Sequence, residues 1–130
     1  MNKEIILTKN APSPIGPYSQ AIKINGVLYL SGQIPLTPEL GLVQNNLKQE
    51  VNQVMKNLKA VLEAAKMDFK NVVKSTIFLN NMDNFQTVNK IYGEYFDSET
   101  APARETVAVK TLPKNVRVEI SMIANEWDQY

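Results

Sequence analysis

The apolar positions of the chain follow strand-like spacing in six short segments and helical spacing in two longer ones. Segments rich in β-branched and aromatic residues predict strands. They occupy residues 3–8, 20–24, 27–31, 72–80, 104–110 and 116–124. The second and third segments are separated by Asn25-Gly26, a pair typical of a two-residue hairpin turn. We therefore expect these two strands to pair as a hairpin.

Two segments have the spacing of an amphipathic helix. In the first, Asn46 and Gln49 resemble a capping box. The apolar residues that then recur at helical spacing are Leu47, Val51, Val54, Met55, Leu58, Val61, Leu62 and Ala65. In the second, Asn81 or Asp83 is a candidate N-cap. Its expected inner side consists of Phe85, Val88, Ile91, Tyr92 and Phe96. Each helix is thus expected to bury one face.

The last two strand segments are expected to form an antiparallel hairpin. The stretch between them, residues 112–115, carries proline and asparagine, which favour a turn. Because side chains alternate across a strand, Arg104, Thr106 and Ala108 share one face of the first of these strands.

The order β-ββ-α-β-α-ββ predicts one α+β domain spanning residues 1–130, with both helices packed on one face of a mixed sheet. The other face of the sheet would then be uncovered. We expect Thr106, Val118 and Met122 on that face, which is too apolar for open water over a large area. A homo-oligomer that buries the face is the simplest solution.

Composition restricts the chemistry more than it restricts the fold. The chain has no cysteine and no histidine, so thiolate nucleophiles, imidazole bases, disulfides and the usual zinc sites are excluded, and no metal or cofactor is expected.

The net charge of +1 argues against nucleic acid as a partner. No apolar segment is long enough for a membrane span and no signal-peptide pattern is present, which leaves the cytoplasm as the expected compartment.

Two charged residues in the last strands are candidates for catalysis. Arg104 begins a strand, and its planar guanidinium could bind the carboxylate of a small organic acid through two parallel hydrogen bonds. The alternative is a surface arginine in an ordinary ion pair. Glu119 lies mid-strand between apolar neighbours and could orient and deprotonate a water molecule. It could instead be an exposed cross-strand partner of Arg117 or Lys110.

Further candidates come from two loop-like segments. Tyr18 follows Gly16-Pro17 in a proline-rich stretch and could supply a phenolic donor or an apolar wall. Ser31 and the backbone N–H of Gly32 could donate to a carboxylate, since glycine allows close approach of the backbone. Turn formation alone would also explain each of these residues.

Four segments, taken together with the second helix, carry a resemblance to a known family. They are APSPIGPYSQA (11–21), LYLSGQIP (28–35), APARETVAV (101–109) and LPKNVRVEISMIA (112–124). In this order along nearly the whole chain they closely resemble the signature segments of the Rid (reactive intermediate deaminase, YjgF) family. The resemblance implies a chorismate-mutase-like α+β fold, a homotrimer and three pockets in the clefts between subunits.

The resemblance also implies roles for individual residues. Arg104 would bind the substrate carboxylate and Glu119 would hold the hydrolytic water, while Tyr18, Ser31, Gly32 and Asn89 would line the pocket. Thr106 stands where many relatives have cysteine, and its hydroxyl and N–H could still face the ligand. Ser121 replaces an acid that is common in relatives.

The implied activity is hydrolysis of 2-imino or enamine acids of the 2-aminoacrylate type to 2-keto acids and ammonia, without a cofactor. Arg104 and Glu119 are expected to face each other, from hairpin neighbours, across a crevice shared by two protomers. Two alternatives stay open. One is a non-catalytic module that binds small carboxylates such as 2-keto acids. The other is a translation inhibitor or ribonuclease, which the missing histidine disfavours.

Overall fold

The computed structural model describes residues 2–127, which form one mixed six-stranded sheet and two α-helices. The strands are β1 (Glu4–Ile6), β2 (Ala21–Ile24), β3 (Val27–Gln33), β4 (Val72–Leu79), β5 (Ala103–Ala108) and β6 (Val118–Asn125). The helices are α1 (Leu47–Ala64) and α2 (Phe85–Gly93). The strand order is β1-β2-β3-β6-β4-β5, antiparallel except between β4 and β5. The predicted α+β class is confirmed.

Both helices form where the pattern predicts them, and both pack on the same face of the sheet. The side chain of Asn46 accepts a hydrogen bond from the backbone N–H of Gln49 at 2.8 Å, which caps α1. Asn81 caps a short 3-10 turn that leads into α2. The apolar faces of the two helices meet β3, β4 and β6 in one continuous core. None of the described helices is both long and apolar enough to cross a membrane.

The expected hairpin between the last two strands is wrong. β5 pairs in parallel with β4, with Ile77 opposite Thr106, whereas β6 lies between β3 and β4. Parallel neighbours need a crossover connection, and α2 provides it. Residues 112–115 therefore carry the chain past β4 rather than closing a tight turn between adjacent strands. Lys114 and Asn115 adopt left-handed backbone conformations there, with φ of 56° and 60°.

The uncovered face of the sheet exists, but its residues differ from those expected. Val118 and Met122 are buried beneath the helices, with 0% and 2% of their surface exposed, and Thr106 lies on the same side. The other face carries the alternate side chains of the strands. Its apolar residues include Ile5, Tyr29, Phe78, Val107 and Ile123. The alternation of side chains along each strand grouped the residues of each sheet face correctly, but it did not show which face the helices cover.

Candidate active site

Arg104 lies near the beginning of β5, on the side of the sheet that carries α2. Its guanidinium carbon is 5.7 Å from the centre of the Phe85 ring and 5.4 Å from that of Tyr92, and it donates a hydrogen bond to Oδ1 of Asn89. Cation–π contacts and a neutral amide hold the group without neutralising it. Among residues 2–127 no carboxylate pairs with Arg104. The guanidinium is exposed and can receive an anion.

The Tyr92 ring that contacts Arg104 is fixed by a hydrogen bond of its own. The hydroxyl of Tyr92 donates to Oγ of Ser75 at 2.9 Å, and both side chains are buried. Burial raises the pKa of Tyr92 above its ordinary value, so the phenol stays protonated and keeps donating near neutral pH. The ring that faces the guanidinium is therefore held in one orientation.

Thr106 follows two positions along β5 and faces the same side as Arg104. Its Oγ1 is buried and, within the described part of the chain, has no hydrogen-bond partner. An unsatisfied buried hydroxyl costs about 1–3 kcal/mol. A ligand or a neighbouring subunit that reached this hydroxyl would remove the cost. We call Phe85, Asn89, Tyr92, Arg104 and Thr106 the arginine half-site.

Glu119 lies on β6, on the opposite side of the sheet, next to Gly32. In β3, Leu30 pairs with Met122 and Gln33 with Ile120, so the extra residue between them produces a bulge. A Cβ atom added to Gly32 would lie 2.5 Å from Oε2 of Glu119. Only glycine leaves room for this carboxylate.

The carboxylate of Glu119 is half-buried, and this desolvation raises its pKa above the ordinary glutamate value. Among the described residues none forms an ion pair with it, and the alternative partner Arg117 makes two hydrogen bonds to Glu50 instead. A carboxylate with a raised pKa and no cationic partner is a stronger base than an ordinary glutamate, which suits it to accepting a proton from water.

A cavity of about 490 Å³ adjoins Gly32. Tyr18, Ser31 and Gly32 all line it. Ser31 is already engaged, however: its hydroxyl donates to the carbonyl of Ser19 at 2.6 Å and its N–H to the carbonyl of Gln20 at 3.0 Å. Ser31 therefore holds the loop rather than offering a free donor. Glu119 does not itself line the cavity and adjoins it through Gly32. We call Tyr18, Ser31, Gly32, Glu119 and this cavity the glutamate half-site.

The two half-sites do not meet within one chain. Arg104 shares its face of the sheet with Ser75 and Ile77, which are buried beneath the helices, whereas Glu119 shares the uncovered face with Phe78. The expectation that Arg104 and Glu119 face each other from neighbouring strands is therefore wrong for a single protomer.

Comparison with known proteins identifies the family. The model of a family described as endoribonuclease L-PSP matches residues 8–126. The crystal structure of a Rid-family protein from Yersinia pestis is 51% identical, covers 96% of this chain and 100% of its own, and superposes with a TM-score of 0.93. The chain belongs to the YjgF/Rid family.

Some of the Rid relatives carry only a family name, and others are named as enzymes. A RutC family protein of Pyrococcus horikoshii is 49% identical over 94% of this chain and 97% of its own length. The mouse protein named 2-iminobutanoate/2-iminopropanoate deaminase is 46% identical over 94% of this chain and 90% of its own. These matches support a deaminase of the Rid type.

Sequence reasoning missed three parts of this Rid-family site. Phe85 and Tyr92 were predicted on the inner side of α2, but their contact with the guanidinium of Arg104 was not predicted. Gln20 and Asn57 are buried amides, with 1% and 0% of their surface exposed, and neither was singled out. A polar residue inside an apolar helical pattern, as at Asn57, was the available signal.

Proposed function

We propose that the chain is a cofactor-independent cytoplasmic deaminase that hydrolyses 2-imino acids and their enamine tautomers to 2-keto acids and ammonia. The observation that carries the proposal is the pairing of two groups: an exposed guanidinium with no acidic partner in the described chain, and a half-buried carboxylate of raised pKa packed against Gly32, which lines a cavity. The first suits a substrate carboxylate and the second suits an attacking water.

We further propose that each active site combines the arginine half-site of one protomer with the glutamate half-site of another, in a homotrimer. Two features support this arrangement. The half-sites lie on opposite sides of the sheet, so one chain cannot use both on one small substrate. The uncovered face also exposes Ile5, Tyr29 and Val107, at 53%, 49% and 44% of their surface, an apolar area that association would bury.

In the proposed reaction, Arg104 binds the carboxylate of the substrate, and Glu119 takes a proton from water as the oxygen attacks the imine carbon. Attack forms a C–O bond and turns the C=N bond into a single bond, and Glu119 returns the proton to the nitrogen, giving the neutral carbinolamine. Glu119 then takes the hydroxyl proton and delivers it to the nitrogen, so that the C–N bond breaks and ammonia leaves as the C=O bond forms. An enamine first gains a proton at carbon and loses one from nitrogen to become the imine. One water molecule is consumed.

A coupled assay tests the proposed activity. An amino-acid oxidase generates 2-iminopropanoate in the cuvette, and we expect the protein to raise the rate of keto acid release above that of free solution. Specific binding of a 2-keto acid without any acceleration would instead favour the carboxylate-binding alternative. The ribonuclease alternative rests on the family description alone, and strongly salt-dependent RNA binding would be its signature.

Mixing inactive protomers tests the shared site. Arg104→Ala and Glu119→Gln should each keep no more than about one hundredth of wild-type activity alone. In trimers co-expressed from both genes in equal amounts, about one quarter of the sites should combine an intact Arg104 with an intact Glu119, because every interface is heterologous. We therefore expect about a quarter of wild-type activity. Doubly tagged trimers that stay inactive would contradict a site built from two subunits.

Replacement of Gly32 by alanine should displace the carboxylate of Glu119, since the new methyl group would overlap Oε2. We expect kcat/KM to fall about 100-fold, as for other misplacements of a catalytic group by an ångström. Gly93→Ala is the matched control, because a Cβ atom there meets nothing within 4 Å. Equal kcat/KM values for the two variants would remove Gly32 from the site.

A further inference from the structure

The cavity of the glutamate half-site is much larger than a three-carbon acid requires. Its lining includes the apolar residues Ile15, Ile34, Leu36 and Pro113 beside the polar residues Gln20, Gln33 and Lys114. Apolar walls with few polar groups are typical of sites that bind part of a small molecule. On the proposed function, which this inference assumes, the space is available to the side chain of the substrate.

Ile34 and Leu36 lie beyond the end of β3, in a segment held by an isolated bridge between Leu36 and Leu42 and by a few backbone hydrogen bonds. In addition, Nδ2 of Asn57 donates to the carbonyl oxygen of Leu36 at 2.8 Å and to that of Ile34 at 3.3 Å. Oδ1 of Asn57 accepts from Nε2 of Gln53 at 2.9 Å. One side chain of α1 therefore binds two backbone groups of the cavity wall.

The burial of Asn57 requires an explanation. The residue is fully buried in the middle of α1, on the face that carries Val54, Leu58 and Val61. Placing an amide in an apolar core is unfavourable unless it is hydrogen-bonded, and an apolar residue of similar size would suit the packing better. What the amide adds is the fixed position of Ile34 and Leu36.

The segment around Pro12, which also lines the cavity, is held in the same manner. Gln20 is buried, and its Nε2 donates to the carbonyl oxygens of Pro12 at 2.9 Å and of Ala11 at 3.3 Å. Its Oε1 accepts from the N–H of Thr8 at 2.7 Å. Because both segments are fixed by buried amides, the depth of the cavity is preorganised rather than adaptable.

We propose that Asn57 is a positioning residue for substrate selection: by holding Ile34 and Leu36, it sets the length of side chain that a bound 2-imino acid can carry. Asn57 does not touch the reacting atoms. It affects the preference of the site between long and short substrate side chains, because it positions Ile34 and Leu36 in the cavity wall.

The test measures binding of two 2-keto acids, pyruvate and 4-methyl-2-oxopentanoate, by calorimetry. The isobutyl group of the second replaces the methyl group of the first. Burial of the added carbons should make wild type bind the longer acid about 10- to 50-fold more tightly. In Asn57→Leu, which keeps an apolar helix face, we expect this ratio to fall below about threefold while pyruvate binding changes little. Lys59→Ala, at an exposed position of the same helix, is the matched control and should keep the wild-type ratio.

Leu36→Trp provides a second variant that does not disturb α1. It should fill the cavity and reverse the preference towards pyruvate. A wild-type ratio near one, or a ratio that survives both Asn57→Leu and Leu36→Trp, would overturn the inference. Because the readout is binding, the proposed function is judged separately: selective binding by a protein that does not accelerate imine hydrolysis would refute the deaminase and leave the role of Asn57 intact.

Discussion

Replacing Arg104 by alanine is expected to lower kcat/KM for 2-iminopropanoate by about 10²- to 10⁴-fold, because two charge-assisted hydrogen bonds to the substrate carboxylate are lost. The guanidinium is exposed and supports little of the core, so the melting temperature should stay close to that of wild type. The measurement is the coupled keto acid assay, with thermal unfolding recorded on the same samples.

Arg104→Lys separates charge from geometry at the same position. Lysine keeps a cation that can lie over Phe85 and Tyr92, but it lacks the planar pair of donors that fits a carboxylate. We expect this variant to recover only a small part of the lost activity. If Arg104→Ala hydrolysed the imine as fast as wild type, the proposed role of the guanidinium would be wrong.

Replacing Glu119 by glutamine should lower kcat by about 10²- to 10⁴-fold, the usual contribution of a positioned acid–base group. The ionised carboxylate is the proposed base, so wild-type activity should fall as the pH drops through the pKa of Glu119. Burial raises this pKa, which places the acidic limb of the profile above that of an ordinary glutamate. The limb should be missing from the residual activity of Glu119→Gln.

Stability gives a second measurement on the same variant. Because the pKa of Glu119 is higher in the folded chain than in the unfolded chain, its contribution to stability is fully present below the unfolded pKa and is lost as the pH rises through the folded value. Glutamine does not titrate. The stability of Glu119→Gln relative to wild type should therefore increase across this pH window and then level off.

The control for the activity measurement is Glu63→Gln, an exposed residue in the last turn of α1, which should leave the pH profile of kcat as in wild type. A Glu119→Gln variant with wild-type kcat would remove the carboxylate from the mechanism.

Local patterns in the sequence predicted the local structure well. Asn25-Gly26 joins β2 and β3, and Asn46 caps α1, because turn and cap preferences depend on a few neighbouring residues. The predicted hairpin at residues 112–115 was wrong because a local pattern does not determine which strands pair. A turn-forming segment shows that the chain changes direction, but the strand beside which it continues depends on contacts that are distant in sequence, here the parallel pair of β4 and β5.

The site residues stay predictions, and their arrangement was not predicted. The resemblance pointed to Arg104, Asn89 and Thr106; the structure joins Arg104 to Asn89 of α2 by a hydrogen bond and places Thr106 on the same face of β5. It also identified Gly32 and Glu119, which the structure brings into contact. Their separation onto opposite sides of the sheet could not be deduced, since alternation fixes relative faces within a strand and not between strands of unknown order.

Strand β5 has consequences beyond the position of its arginine. It forms one margin of the sheet, joined to β4 alone, and most of its side chains are exposed in the single chain. Segments with few buried contacts open locally at a lower free energy than the core. The strand that carries the guanidinium is thus among the least anchored parts of a lone subunit. If subunit association covers β5, the same contact both holds the strand in place and completes the active site. Dissociation of the subunits would then abolish catalysis before the domain unfolds.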